Sequence, residues 1–181
     1  MEFQGEKFII FNFSGIGRPI ERGHTGKGKP WAVKRRGRPL TNRQQRLLDA
    51  LPDYGSRVTV RKGDVSMSDL AALTAKAEVE FAMFTCGSRR LIIRGDWRHV
   101  EMEDAEIEKM GVQGYRFSGH THVGENKCFS GGDYNVLGYF DQPESVVYNS
   151  WGEHSAFPNR ERILKGERYE QRFFEEAQGS D

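Results

Sequence analysis

The spacing of apolar and polar positions changes period several times along the chain and marks out its elements. Lys7-Phe8-Ile9-Ile10-Phe11-Asn12-Phe13 is apolar and β-prone and predicts a strand. Residues 14–40, rich in Gly, Pro, Lys and Arg, predict a loop or tether. Thr41 is placed to cap a helix over Arg43–Leu51, whose Leu47, Leu48 and Leu51 share one face before Pro52 and Gly55 end it. Arg57-Val58-Thr59-Val60-Arg61 alternates as a strand does. Ser66 or Ser68 caps a second helix, Asp69 to about Lys76. Val79–Thr85 and Arg90–Arg94 form a strand pair turning at Cys86-Gly87-Ser88-Arg89. Met102–Val112 predicts a helix with acidic residues in its first turns, where the helix dipole favours them, and Gly114 stops it. Tyr115–His120 predicts a strand running into a loop, and Asp133–Phe140 a short helix. Ser145–Phe157 predicts a hairpin, and Asn159–Gln178 a charged helix with Ile163, Leu164, Tyr169, Phe173 and Phe174 as its apolar positions. Helices mixed with hairpin-like strands give an α/β (α+β) domain, a mixed sheet flanked by helices. The organisation expected is an N-terminal strand and basic arm (1–40), one main domain (41–158) and a C-terminal helix (159–181).

Composition narrows this picture. The 36% hydrophobic and 12% aromatic content suffices for a modest core and argues against general disorder. No run of about 18 apolar residues predicts a membrane span. The segment Met1–Lys7 lacks the basic and apolar regions of a secretion signal, so a cytoplasmic site of production is expected. The two cysteines, Cys86 and Cys128, do not make a disulfide scaffold and are expected as free thiols. The net charge of +1 conceals an asymmetry, because residues 18–46 carry ten Lys or Arg against Glu21 alone, leaving the rest of the chain at −8. Such an arm can bind nucleic acid or another anionic partner, or serve as a solvated linker.

The chemistry lies in Gly119-His120-Thr121-His122-Val123-Gly124-Glu125-Asn126-Lys127-Cys128-Phe129-Ser130-Gly131-Gly132-Asp133. Residues i and i+2 of a strand point to one face, so His120 and His122 can aim two imidazoles at one point. The ten-residue Gly-rich loop between His122 and Asp133 is long enough to return a carboxylate there. Two His and one carboxylate suit Zn2+, and three protein ligands leave a fourth position open, as catalytic zinc sites do. A general base is then needed nearby; Glu80 is the candidate and Glu78, of the same parity, the runner-up. Ser130 stands three residues before Asp133, placed to cap its helix. His-Glu-x-x-His and His-x-Glu with Pro-Cys-x-x-Cys are both absent, which disfavours a thermolysin-like protease and a zinc deaminase.

The order Glu80, His120-x-His122, Ser130-x-x-Asp133 resembles the JAMM (MPN-plus) metalloprotease motif. Together with Glu80-Phe81-Ala82-Met83-Phe84 and Ser145-Val146-Val147-Tyr148-Asn149-Ser150, residues 41–158 look like the JAB-type domains of bacterial polymorphic toxins. The chain departs from the pattern at Val123, where Pro is common, and at Met83 and Phe84, where a Gly is common. The resemblance implies a single JAMM/MPN-like domain acting as a zinc metallopeptidase or isopeptidase, with metal ligands His120, His122 and Asp133. It further implies Glu80 as base, Ser130 as oxyanion support, a protein or peptide substrate, a cognate immunity protein, and delivery into a target-cell cytoplasm as part of a secreted toxin. Three alternatives stay open on the residues alone. One is a metal-free surface cluster. Another is a nuclease toxin using His120 and His122 as acid and base, with residues 18–46 holding nucleic acid. The third is a non-catalytic partner-binding module.

Overall fold

A computed structural model of the chain describes residues 7–9 and 39–159. The elements run β1 (Lys7–Ile9), α1 (Asn42–Asp49), β2 (Arg57–Arg61), a 3-10 turn (Lys62–Asp64), α2 (Met67–Ala77), β3 (Phe81–Cys86), β4 (Arg89–Arg94), β5 (Glu101–Glu103), α3 (Asp104–Val112), β6 (Arg116–His122), α4 (Gly131–Tyr139), β7 (Glu144–Asn149) and β8 (His154–Pro158). The main sheet has six strands in the order β2-β4-β3-β6-β7-β8. All its pairs are antiparallel except β6 with β7. That parallel pair needs a crossover, and α4 supplies it. The fold is therefore mixed α+β, as the alternation of periods predicts. The predicted charged helix from residue 159 and most of the basic arm lie outside the described residues. No helix among the described residues is long and apolar enough to cross a membrane.

Both faces of the sheet are covered, and β3 shows how. Phe81 and Met83 pack with Leu47, Leu51, Leu70 and Leu73 of the α1–α2 layer. Ala82 and Phe84 face the other way, onto Ile107, Met110, Val136 and Leu137 of the α3–α4 layer. A strand buried on both sides reads as a continuous apolar run, which is what Phe81–Phe84 is. The helices start where short polar side chains can satisfy their first amides. Thr41, Ser66 and Ser130 each form a capping box, with Gln44, Asp69 and Asp133 respectively.

Two expectations are corrected. The predicted helix Met102–Val112 begins only at Asp104, and Glu101–Glu103 is instead a short strand. The register Lys7↔Glu103 and Ile9↔Glu101 pairs it with β1, while Met102 turns into the core at 2% exposure. A partner more than ninety positions away in sequence outweighs the local helical pattern here. Second, both histidines of His-x-His belong to β6 itself, and no loop begins between them.

A β-bulge in β6 decides which way its side chains point. Met83 pairs with Gly119 and Phe84 with Phe117, which leaves Ser118 as an extra residue. Without it, Phe117 and His120 would project to opposite faces; with it, they stack on one face, ring centroids 5.9 Å apart. Gly119 makes this geometry, with φ +140° and backbone so close to β7 that a Cβ would lie 2.6 Å from the Val146 carbonyl oxygen. Gly119→Ala should cost about 1–3 kcal/mol for the backbone conformation, before any clash is counted. Urea unfolding measures it; a variant as stable as the parent would contradict this role for the bulge.

Candidate metal centre

The site forms at the end of the sheet where β6 finishes and β3 begins. His120 and His122 project from β6 to one face, and Asp133 comes from the first turn of α4. One donor atom from each of the three lies within 4.8 Å of the others. The His120 and His122 Nε2 atoms are 2.8 Å apart, and His120 Nε2 is 3.2 Å from Asp133 Oδ1. His120 and Asp133 are fully buried, and His122 is 4% exposed. The structure therefore brings together the three ligands expected from the sequence.

Local chemistry sets each orientation. Asp133 is fixed by the capping box: Ser130 N and Ser130 Oγ donate to Asp133 Oδ2 at 2.6 and 3.0 Å. Oδ2 is thereby occupied, and Oδ1 is left on the His120 side. Ser130, only half-buried, thus holds a candidate ligand in place. The loop after His122 is tied to the end of β7. Ser150 N donates to the Gly124 carbonyl at 3.1 Å, Gly124 N to Ser150 Oγ at 3.0 Å, and Asn149 Nδ2 to the Glu125 carbonyl at 2.9 Å.

Glu80 immediately precedes β3 and is 4% exposed. Its backbone continues the pairing toward β4, donating from N to the Asp96 carbonyl at 2.7 Å and accepting from Gly95 N at 2.8 Å. The β3–β6 pairing ends at Ala82↔His120, two residues from Glu80, and the Asp133 carboxylate lies close enough to raise the pKa of Glu80. Glu80 Oε2 is buried and makes no hydrogen bond among the described residues. Glu78 is placed elsewhere: it is the left-handed C-cap of α2 (φ 55°) and exposed, so strand parity does not apply to it. Of the two candidates, Glu80 is thus buried near Asp133 and Glu78 lies exposed at the end of α2.

Two residues that the sequence pattern does not single out also shape the site. Asp96 anchors the loop beside Glu80, its Oδ1 accepting from Arg98 N and His99 N at 2.7 and 2.9 Å. Thr121, between the two histidines but on the opposite face, is fully buried among side chains of the α2 layer. The two cysteines are free, and neither belongs to the cluster; Cys128 is exposed on the loop.

Burial governs the protonation of all four groups. It holds the His120 imidazole well below its ordinary pKa, with His122 adding to the effect, and lowers His122 to about 4. It pushes Asp133 up to about 7 despite the Ser130 hydrogen bonds, which act the other way. It raises Glu80 well above the usual carboxylate range, and the nearby carboxylates of Asp133 and Asp96 raise it further. Neutral imidazoles and a carboxylate are the donor forms that a divalent cation takes up. The donor set fits a divalent metal.

Comparison of the chain with protein-family models, with curated proteins and with solved structures finds no match.

Metal uptake should therefore depend on pH through Asp133. Below about pH 7 its carboxyl is protonated in the metal-free protein, so binding must displace a proton, whereas His122 stays neutral down to about pH 4. Zn2+ affinity, measured against a competing chelator, should fall on acidification below about pH 7, approaching tenfold per unit for one displaced proton. An affinity flat between about pH 5 and pH 7 would show that binding displaces no proton from Asp133 in that range.

Proposed function

We propose that the chain is a zinc-dependent peptidase or isopeptidase of JAMM type and the effector domain of a bacterial polymorphic toxin. The observation that carries the reading is the convergence of His120, His122 and Asp133 in one buried cluster, with the Glu80 carboxylate beside it. These four residues are also the ones that the sequence resemblance implies. A zinc held by the three ligands would act as a Lewis acid on a substrate carbonyl and on a water molecule.

The remaining chemistry belongs to the protein. Glu80, with its basicity raised by burial, takes the proton of the attacking water and passes it to the leaving amine. Ser130 fixes the orientation of Asp133 through the capping box; to support the oxygen on which charge develops, as the resemblance implies, its hydroxyl proton would have to turn away from Asp133 Oδ2. Burial of His120 and His122 weighs against the nuclease alternative. An imidazole acting as general acid must be protonated near neutral pH, and both are held neutral there.

Glu80→Gln tests the proposal. Gln is nearly isosteric, and Glu80 is not assigned as a ligand, so fold and zinc content should match the parent. Activity should fall about 100- to 10,000-fold, the usual cost of removing a general base. Toxicity on expression inside bacteria reads this out without a known substrate, and Glu78→Gln should remain as toxic as the parent. A Glu80→Gln protein that is fully toxic would rule out the mechanism.

A further inference from the structure

Thr121 lies between His120 and His122, and its side chain points away from both. It is fully exposed to neither solvent nor site, being 0% accessible. Its Oγ1 accepts from the backbone N–H of Phe81 at 2.9 Å and lies 2.6 Å from Thr74 Oγ1, which is itself fully buried on α2. Phe81 is the residue after Glu80. Beyond the backbone ladder that pairs β3 with β6, this hydroxyl ties β6, which carries two candidate ligands, to the residue next to the candidate base.

The pairing of β3 with β6 gives that hydroxyl its consequence. The recorded register ends at Ala82↔His120, and the next pair inward to the site would be Phe81 and Thr121. There the Phe81 amide bonds to the Thr121 side chain. On its other edge, β3 stays in ladder with β4 through Phe81↔Arg94 and on to Glu80 and Gly95. Past the end of the β3–β6 ladder, the link from Phe81 to Thr121 is thus a side-chain hydrogen bond, with Thr74 Oγ1 on the far side of the hydroxyl.

We propose that Thr121 is a positioning residue: its hydroxyl, held between Phe81 N and Thr74 Oγ1, sets the placement of His120 and His122 relative to Glu80 and to the metal. This rests on the metal-site reading above. The hydroxyl touches neither metal nor substrate; it acts through the β6 backbone on the two ligands beside it. A Val at this position keeps the branched shape but cannot accept from Phe81 N or bond to Thr74.

The test is Zn2+ affinity of the full chain, measured against a competing chelator, together with the visible absorption of the Co2+-loaded protein, which reports ligand geometry. Thr121→Val should weaken Zn2+ binding about 10- to 100-fold, the usual cost of losing a partner behind the ligands, and shift the Co2+ spectrum. Thr121→Ser, which keeps the hydroxyl, should restore both to near the parent. Thr74→Val removes only the rear support and should lose a smaller factor in the same direction; it carries the test if Thr121→Val does not fold. Ile92→Val, a core truncation on the same side of the sheet, should leave both readouts unchanged. If the parent binds Zn2+ and Thr121→Val or Thr74→Val binds it equally well, the positioning role alone is overturned. The same holds if Thr121→Ser fails to rescue. If the parent binds no Zn2+, the metal-site reading falls and takes this proposal with it.

Discussion

Two carboxylates and two imidazoles are kept out of water at one end of a sheet, and that burial is the constraint to which the surrounding structure answers. Taking an ionised side chain into a protein interior costs several kcal/mol unless it is neutralised or paired. The Lys and Arg ion pairs among the described residues are elsewhere: Arg43 with Asp69, Arg57 with Glu106, Arg61 with Asp64 and Lys127 with Glu153. None brings a Lys or Arg to Glu80 or Asp133. Proton uptake by the carboxyls and loss of proton by the imidazoles relieve part of the cost, as the raised pKa of Asp133 and the lowered pKa of His122 express. A divalent cation would relieve more of it, because it would bring positive charge to the carboxylates and accept the lone pairs of the neutral imidazoles.

The fold concentrates its irregularities at this place. The sheet changes from antiparallel to parallel pairing at β6, and the crossover to β7 runs through α4. The C-terminal end of a strand and the N-terminal end of the following helix therefore meet, as at the ligand-binding ends of other mixed sheets. The bulge at Ser118 and Gly119 turns the histidines to the α3–α4 face. The Ser130 capping box does two tasks with one set of hydrogen bonds, starting α4 and aiming Asp133. Glu80 is delivered by a turn on one side and by the Gly95–Asp96 backbone on the other. Each device is local, and together they fix four side chains drawn from three separate stretches of chain.

Much of this was legible from local pattern. The cap at Thr41, the strand Arg57–Arg61, the β3–β4 hairpin and the helix after Ser130 follow from turn residues and periodicity, which act over a few positions. The three donors were legible because i, i+2 spacing and a returning loop suffice to bring them together. What escaped depends on partners distant in sequence. β5 is a strand only because β1 lies beside it. Glu78 and Glu80 look equivalent until α2 is seen to end in a left-handed turn at Glu78. The role of Gly119 needs the neighbouring Val146 carbonyl, and that of Thr121 needs Phe81 and Thr74.

The central claim is that the cluster of His120, His122 and Asp133 is a metal centre, and elemental analysis of the purified protein addresses it most directly. The account predicts about one zinc per chain in the parent, and its loss in His120→Ala and in Asp133→Ala variants shown by circular dichroism to keep the fold. A parent free of metal after exposure to zinc, or folded variants that retain it in full, would contradict the account.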